Sequence, residues 1–205
     1  MTRLLVATRS RGKQAEFRQL LAALPFEIVF PDDVGLPESP EEDQLEVHDT
    51  FEANARAKAT WFAARSGIAT LADDSGLEVD VLGGDPGVWS KRFAGLNGSD
   101  HVVTTANNEK LLLVLENVAD DQRTARYRCV LVMVRADGSE LVAEGTTEGR
   151  ILRESRGRNG FGYDPFFFST DLGMTFGEAE ATAKHTVSHR ARAVAALLAG
   201  TTSAP

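Results

Sequence analysis

In LADDSGLEV, residues 71–79, two carboxylates (Asp73 and Asp74) and a hydroxyl (Ser75) directly follow the apolar run GIATLA. On an extended chain neighbouring side chains point to opposite faces, so the two acids would look in opposite directions. Acids at the C-terminal end of a strand stand where open α/β sheets place their ligands. Their oxygens suit Mg2+, which usually bridges to a substrate phosphate. The same residues can also close a turn, with Asp and Ser bonded to nearby backbone.

Four further stretches carry chemistry-bearing groups. ATRSRGK (7–13) places Arg9, Arg11 and Lys13 at the junction of a strand and a helix, where backbone N–H groups favour phosphate. It lacks the glycine spacing of a Walker loop, and a solvated basic turn would read the same way. EVHDTFEANARAK (46–58) sets Glu46 just before a helix start, as a ligand or as a capping acid, with Asn54 and Lys58 one turn apart. NGFGYDPFF (159–167) sets Phe161 and Tyr163 among glycines, where an aromatic ring can stack on a nucleobase, while Asp164 accepts hydrogen bonds. The Phe run after Pro165 can equally open a core strand. KHTVSHRARA (184–193) brings Lys184, His189 and Arg190 to the start of a helix, with Ser188 as its cap.

These groups must be held by the elements around them. RLLVAT (3–8) and FEIVF (26–30) read as strands, and Phe17, Leu20, Leu21 and Leu24 follow helical spacing between them until Pro25. The proline- and acid-rich segment 31–49 reads as a long loop. A helix follows Thr50, with Phe51, Ala55, Ala59 and Phe62 on one face and Asn54, Lys58 and Trp61 on another. IATLA (68–72) is a strand leading straight into Asp73. Ser99 caps a helix reaching about residue 116, and 125–147 is a hairpin turning at Asp137-Gly138. A short helix near 178–184 and an Ala/Leu-rich helix from Ser188 close the chain, and 201–205 reads as a frayed tail. The pattern predicts an α/β fold: one domain over 1–205, with a long mixed central sheet flanked by helices and two lobes around a substrate cleft.

Charge narrows the partners. Lysine and arginine number 22 against 30 acids, a net charge of −8, which disfavours broad binding to nucleic acid or to an anionic membrane. The lone Cys129 lies in an apolar run and reads as a buried reduced thiol. The opening residues are too briefly apolar for a signal peptide and no stretch reaches membrane-spanning length, so a cytoplasmic protein is expected.

Taken in order, LLVATRSRGKQAEF, TFEANARAKA, ADDSGLEVDVLGGDPGVWSKRFAG, NGFGYDPFF and SHRARA resemble the inosine/xanthosine triphosphate pyrophosphatase family over nearly the whole chain. Members cleave deaminated purine nucleoside triphosphates to the monophosphate and pyrophosphate. The resemblance implies a phosphate loop at Thr8, Arg9, Ser10, Arg11, Gly12 and Lys13, and Mg2+ on Glu46 and Asp74. It implies that Asp74 is also the general base and that Ser75 touches substrate. Phe161, Gly162, Tyr163 and Asp164 fall on the base-binding loop, with Lys184, His189 and Arg190 closing the pocket. A homodimer is the family's usual state. Asp73 is left to brace the turn.

Two positions depart from the family. Ser10 stands where asparagine is common, and His48 stands where a glycine lies two residues after the metal glutamate. If that glycine needs positive φ, His48 strains the turn. Rival readings are a pyrophosphatase for pyrimidine or other modified nucleotides, and a nucleotide sensor without turnover. The sensor has no need for Glu46, Asp74 and Lys13 together.

Overall fold

The computed structural model describes residues 2–202. The chain opens with strand β1 (Thr2–Val6), helix α1 (Arg11–Leu20) and strand β2 (Phe26–Val29). Helix α2 (Phe51–Ser66) leads into β3 (Thr70–Val79), and α3 (Asp100–Val114) precedes the long pair β4 (Thr124–Val134) and β5 (Glu140–Ile151). Short strands β6 (Phe167–Ser169) and β7 (Met174–Thr175) follow, then α4 (Ala181–Val187) and α5 (His189–Thr202). The strands form one mixed sheet in the order β2-β1-β3-β4-β5-β6-β7. β1 runs parallel to both β2 and β3, while β6 is antiparallel to β5 and β7.

The first half follows from its connections. Parallel neighbours need crossover helices, supplied by α1 between β1 and β2 and by α2 between β2 and β3. β2 and β3 lie on opposite sides of β1, so crossovers of one hand carry α1 and α2 to opposite faces. Three serine or threonine caps start the long helices: Ser10, Thr50 and Ser99 accept from the N–H groups of Lys13, Ala53 and Val102. Gly67, at φ 66°, ends α2 in the left-handed conformation that glycine adopts freely. At the tip of the β4–β5 hairpin, Asp137 accepts from Ser139 N–H at 2.9 Å and Gly138 takes φ 81°, as its Asp-Gly pair predicts.

The chain divides into two compact units. Unit one comprises 1–74, 129–145 and 190–205; unit two comprises 75–128 and 146–189. In unit one, the two-residue period of the strands separates two cores. Leu4 and Val6 of β1, Leu71 of β3 and Cys129, Leu131 and Met133 of β4 pack with Phe17 and Leu21 after α1 begins and with Ala193, Val194 and Leu197 of α5. The alternate residues Leu5, Ala7, Ala72 and Val132 pack with Ala55, Ala59 and Phe62 of α2. Unit two has its own core: Leu77 and Val79 of β3, Leu111 and Leu115, Ala125 and Tyr127 of β4, and Ile151, Phe167 and Phe176.

Several boundaries differ from those expected. The strand expected to stop at residue 72 continues to Val79, so the acids lie inside a strand rather than at its tip. The loop 31–49 contains two 3-10 turns, Pro31–Val34 and Pro40–Gln44. Helix α1 stops at Leu20, because the chain turns over 21–24. The short helix near 178–184 is displaced to 181–187. Of the expected tail, 201 and 202 continue α5 and 203–205 lie outside the described residues.

Candidate active site

The core pattern sorts the paired acids. Asp73 shares the strand face of Leu71, covered by α1 and α5, and Asp74 shares that of Ala72, covered by α2. Asp73, 1% exposed, meets Lys13 Nζ of α1 at 2.9 Å and Arg190 Nη2 of α5 at 3.1 Å, both on Oδ2. Arg190 also pairs through Nη1 with Glu16, a buried acid of α1. Burial opposes the charge on Asp73, but Lys13, Arg190 and Lys58 outweigh it and hold the carboxyl well below the usual range. Asp73 therefore stays ionised and locks two helices to one strand. The same burial, with Asp73 close by, pushes the Cys129 thiol up to about 12, which leaves it unreactive.

Asp74 meets a different set of groups. Asn54 Nδ2 donates to its Oδ2 at 2.9 Å, and Lys58 Nζ stands 3.6 Å from Oδ1. Lys58 also reaches Glu46 Oε1 at 2.5 Å, so the two implied metal acids converge on one ammonium. Asn54 and Lys58 lie one helical turn apart on α2, the spacing that puts both on one face. Burial raises the Asp74 pKa and Glu46 adds to that, against Lys58 and Lys13. Adjacent carboxyls are thus driven in opposite directions, and Asp74 is the one suited to exchange a proton.

A divalent cation suits this donor set. Glu46 and Asp74 present only hard carboxylate oxygens to a place already favourable for positive charge. Among the described residues no cluster of three or more His, Cys, Asp or Glu side chains forms a metal cage. Two carboxylates completed by substrate phosphate are the usual way of holding Mg2+.

Glu46 is carried by the segment that the sequence reads as a loop, and that segment is clamped from both sides. Arg9 donates to Glu42 through Nε (3.1 Å) and Nη2 (2.7 Å), to Asp32 through Nη1 (2.5 Å) and to Leu36 O through Nη2 (2.9 Å). The expectation of Arg9 as a substrate contact thus meets a guanidinium engaged as a strut. On the other side, His48 N–H donates to Asn54 Oδ1 at 2.9 Å. No described residue other than glycine has positive φ, so His48 causes no strain there. The phosphate turn itself is compact: Ser10 N–H reaches Thr8 Oγ1 at 3.3 Å, and Ser10 caps α1 at Lys13 N–H. Serine thus keeps a local role where asparagine is common. Gly12 and Lys13 lie in the first turn of α1, and Arg11 is exposed at its start.

In unit two, Asp164 organises the glycine-rich loop. Its Oδ2 accepts from Phe161 N–H at 2.8 Å and from Lys184 Nζ at 2.7 Å, so both donors meet at one carboxylate oxygen. Phe161 is 39% exposed, with Lys184 Nζ 5.0 Å from its ring centroid. Tyr163 is buried, and its hydroxyl donates to Ser90 O at 2.8 Å. Of the two aromatics, Phe161 offers a face for stacking while Tyr163 anchors the loop. Gly162 O accepts from Asn108 of α3 at 3.2 Å. His189 is buried and stacks on Tyr127, centroids 4.8 Å apart, and Ser75 follows Asp74 half-buried along β3. Lys58, Asn54 and Glu16 were not among the residues expected in the site. The spacing of the first two along α2 was the available signal; Glu16 left none.

The sequence profile of the Ham1 family matches residues 4–200. The chain belongs to the Ham1 family. It is 46% identical to the dITP/XTP pyrophosphatase of Geobacter sulfurreducens, over 96% of this chain and 95% of that protein. Identity to the dITP/XTP pyrophosphatase of Thioalkalivibrio sulfidiphilus is 44%, over 96% of each. Among solved Ham1 structures, the HAM1 protein from Coxiella burnetii superposes with a TM-score of 0.83 at 34% identity, covering both chains fully. The nucleoside-triphosphatase / dITP/XTP pyrophosphatase of Mycobacterium abscessus gives 0.72 at 40% identity, over 96% of this chain and 99% of its own. The mixed sheet with flanking helices is thus the Ham1 fold. Among the described residues no helix is long and apolar enough to cross a membrane.

Proposed function

We propose that this Ham1 protein hydrolyses deaminated purine nucleoside triphosphates (ITP, dITP and XTP) to the monophosphate and pyrophosphate. The observation that carries the reading is the convergence of Glu46 and Asp74 on a single cationic position, with Asp73 held apart as a permanent anion. The names of its relatives supply the substrate class.

Glu46 and Asp74 would hold Mg2+ against the triphosphate. Bound there, the ion neutralises charge that develops on the phosphate oxygens. Lys13 and the turn from Thr8 to Gly12 steady the phosphates by charge and backbone N–H groups. Lys58 adds a second ammonium beside the same acids. Asp74 aligns a water and takes its proton as the water oxygen bonds to the α-phosphorus. The bond from that phosphorus to the oxygen bridging to the β-phosphate breaks, and pyrophosphate leaves with the electron pair. Attack at α follows from the family resemblance.

Base recognition falls to the second group of residues. Phe161 stacks on the purine, which adds affinity without choosing among purines. Lys184, His189 and loop N–H groups meet O6 of hypoxanthine or xanthine as donors. Adenine presents its 6-amino group there, and a donor left facing a donor discriminates by roughly 10⁴ or more. Arg190, expected beside His189 at the base, pairs through Nη1 with Glu16 and through Nη2 with Asp73. Such a substrate fits a cytoplasmic enzyme, and the family resemblance supports a homodimer.

The test is a product assay with ITP, dITP, XTP, ATP, GTP and dTTP, counting pyrophosphate against orthophosphate. Pyrophosphate from the deaminated purines alone is expected, abolished by a chelator and by Asp74→Asn. Orthophosphate would place the attack on another phosphorus, and binding without turnover would make the protein a sensor.

A further inference from the structure

Among the described residues, Asn54 is the one fully buried amide that bonds to both chain segments carrying the implied metal acids. It is 0% exposed, and each end of its side chain has a partner that leaves no choice of orientation. The Asp74 carboxylate can only accept, so it faces Nδ2 (2.9 Å). The His48 backbone N–H can only donate, so it faces Oδ1 (2.9 Å). His48 lies two residues beyond Glu46. One side chain therefore ties the Glu46 segment to the Asp74 strand.

We infer that Asn54 is a positioning residue for the cation site: it fixes Asp74 through Oδ2 and the Glu46 segment through His48 N–H, which keeps Asp74 Oδ1 and Glu46 Oε1 aimed at one point. Lys58 marks that point, at 3.6 Å from the first oxygen and 2.5 Å from the second. The two partners supplied by α2 differ in kind. Lys58 has a flexible four-carbon stem and can yield its place to an incoming cation. Asn54 has a short side chain held at both ends and stays. Removing it would leave Asp74 free to turn its carboxylate toward Lys58 alone, and the Glu46 segment held on one side by Arg9. Partners that orient ligands in this way typically change metal affinity or activity by about 10–100-fold when mutated.

The inference rests on the proposed cation site, so the experiment separates the two. Mn2+ alone, without nucleotide, is titrated into the full chain and followed by water-proton relaxation. Wild type and Asp74→Asn test the cation site itself, and Asn54→Ala tests the positioning. Thr50→Ala serves as the matched control, since it removes the cap of the same helix without touching either acid. Circular dichroism confirms folding of each variant, and Asn54→Ser, which loses reach rather than polarity, substitutes if the alanine variant does not fold.

The expected result is Mn2+ binding to wild type, lost in Asp74→Asn, weakened about 10-fold or more in Asn54→Ala and within about 2-fold of wild type in Thr50→Ala. Raising Mg2+ should then restore much of the ITP turnover of Asn54→Ala, which a general packing defect would not allow. Unchanged Mn2+ affinity in Asn54→Ala overturns the inference and leaves the cation site standing. Equal weakening in Asn54→Ala and Thr50→Ala also overturns it, as an effect of helix stability. Binding that survives Asp74→Asn overturns the cation site first.

Discussion

At the scale of single residues, the two neighbouring acids make opposed predictions. Asp73 is held below the usual carboxylate range by Lys13 and Arg190, so its ionised form stabilises the folded state. Its folded pKa lies under its unfolded value of about 3.9, so the contribution is complete above about pH 4 and is lost as pH falls further. Asp73→Asn would take from Lys13 and Arg190 the carboxylate they share, leaving Arg190 to Glu16, at a cost of about 3–5 kcal/mol and a melting temperature lower by roughly 10 °C. Asp74 is shifted the other way, mainly by burial, and its ionised form costs stability at neutral pH. Asp74→Asn should therefore melt within about 3 °C of wild type, or above it, while losing turnover. Urea or thermal unfolding of wild type and both variants between pH 8 and pH 3 checks this. The gap between Asp73→Asn and wild type should be flat down to about pH 4 and then narrow; a large loss of stability in Asp74→Asn would contradict the assignment. That the acids diverge was legible from the two-residue period of a strand. That both are buried was not, because their partners Lys13, Lys58 and Arg190 come from three separate helices.

At the scale of elements, polar residues misled where they were buried by pairing rather than by apolar character. ADDSG looks like a strand end, yet β3 carries it in mid-strand, because each carboxylate finds its cation on a covering helix. The segment 31–49 was legible as a loop, but its rigid attachment through Arg9 and Asn54 depends on contacts over long stretches of sequence. The glycine-rich loop is a clearer case, since its glycines are there for geometry. Gly160 takes φ 73°, and a Cβ added there would stand 2.0 Å from Asp164 Oδ2. Gly160→Ala must push Asp164 away from Phe161 N–H and Lys184, the bonds that shape the loop. The KM for ITP is expected to rise about 10-fold or more, since base stacking is worth about 1–3 kcal/mol. Mn2+ binding in the absence of nucleotide should not change. Phe161→Ala should reproduce the KM effect without the strain. Weakened Mn2+ binding in either variant would show that the loop does more than hold the base.

At the scale of the whole molecule, the two compact units are not consecutive in sequence. Their boundaries fall inside β3 after Asp74, inside β4 after Arg128 and inside β5 after Gly145. Each of these strands donates residues to the core of unit one and to the core of unit two, so melting either core releases backbone that the other requires. Alternating strands and helices announced the α/β class, whereas this interleaving was invisible because no linker or composition shift marks it. The consequence is cooperative unfolding. The chain's two tryptophans divide the report: Trp61 lies on α2 in unit one and Trp89 in unit two. Trp61→Phe leaves fluorescence reporting on unit two, and Trp89→Phe leaves it reporting on unit one. In urea, the two variants should each show one transition, coincident with that seen by far-ultraviolet circular dichroism in the same protein. Small differences in stability between the variants would shift both probes together. A fluorescence midpoint separated from the circular dichroism midpoint within one variant would show that a unit melts alone, and the three shared strands would then not couple the cores.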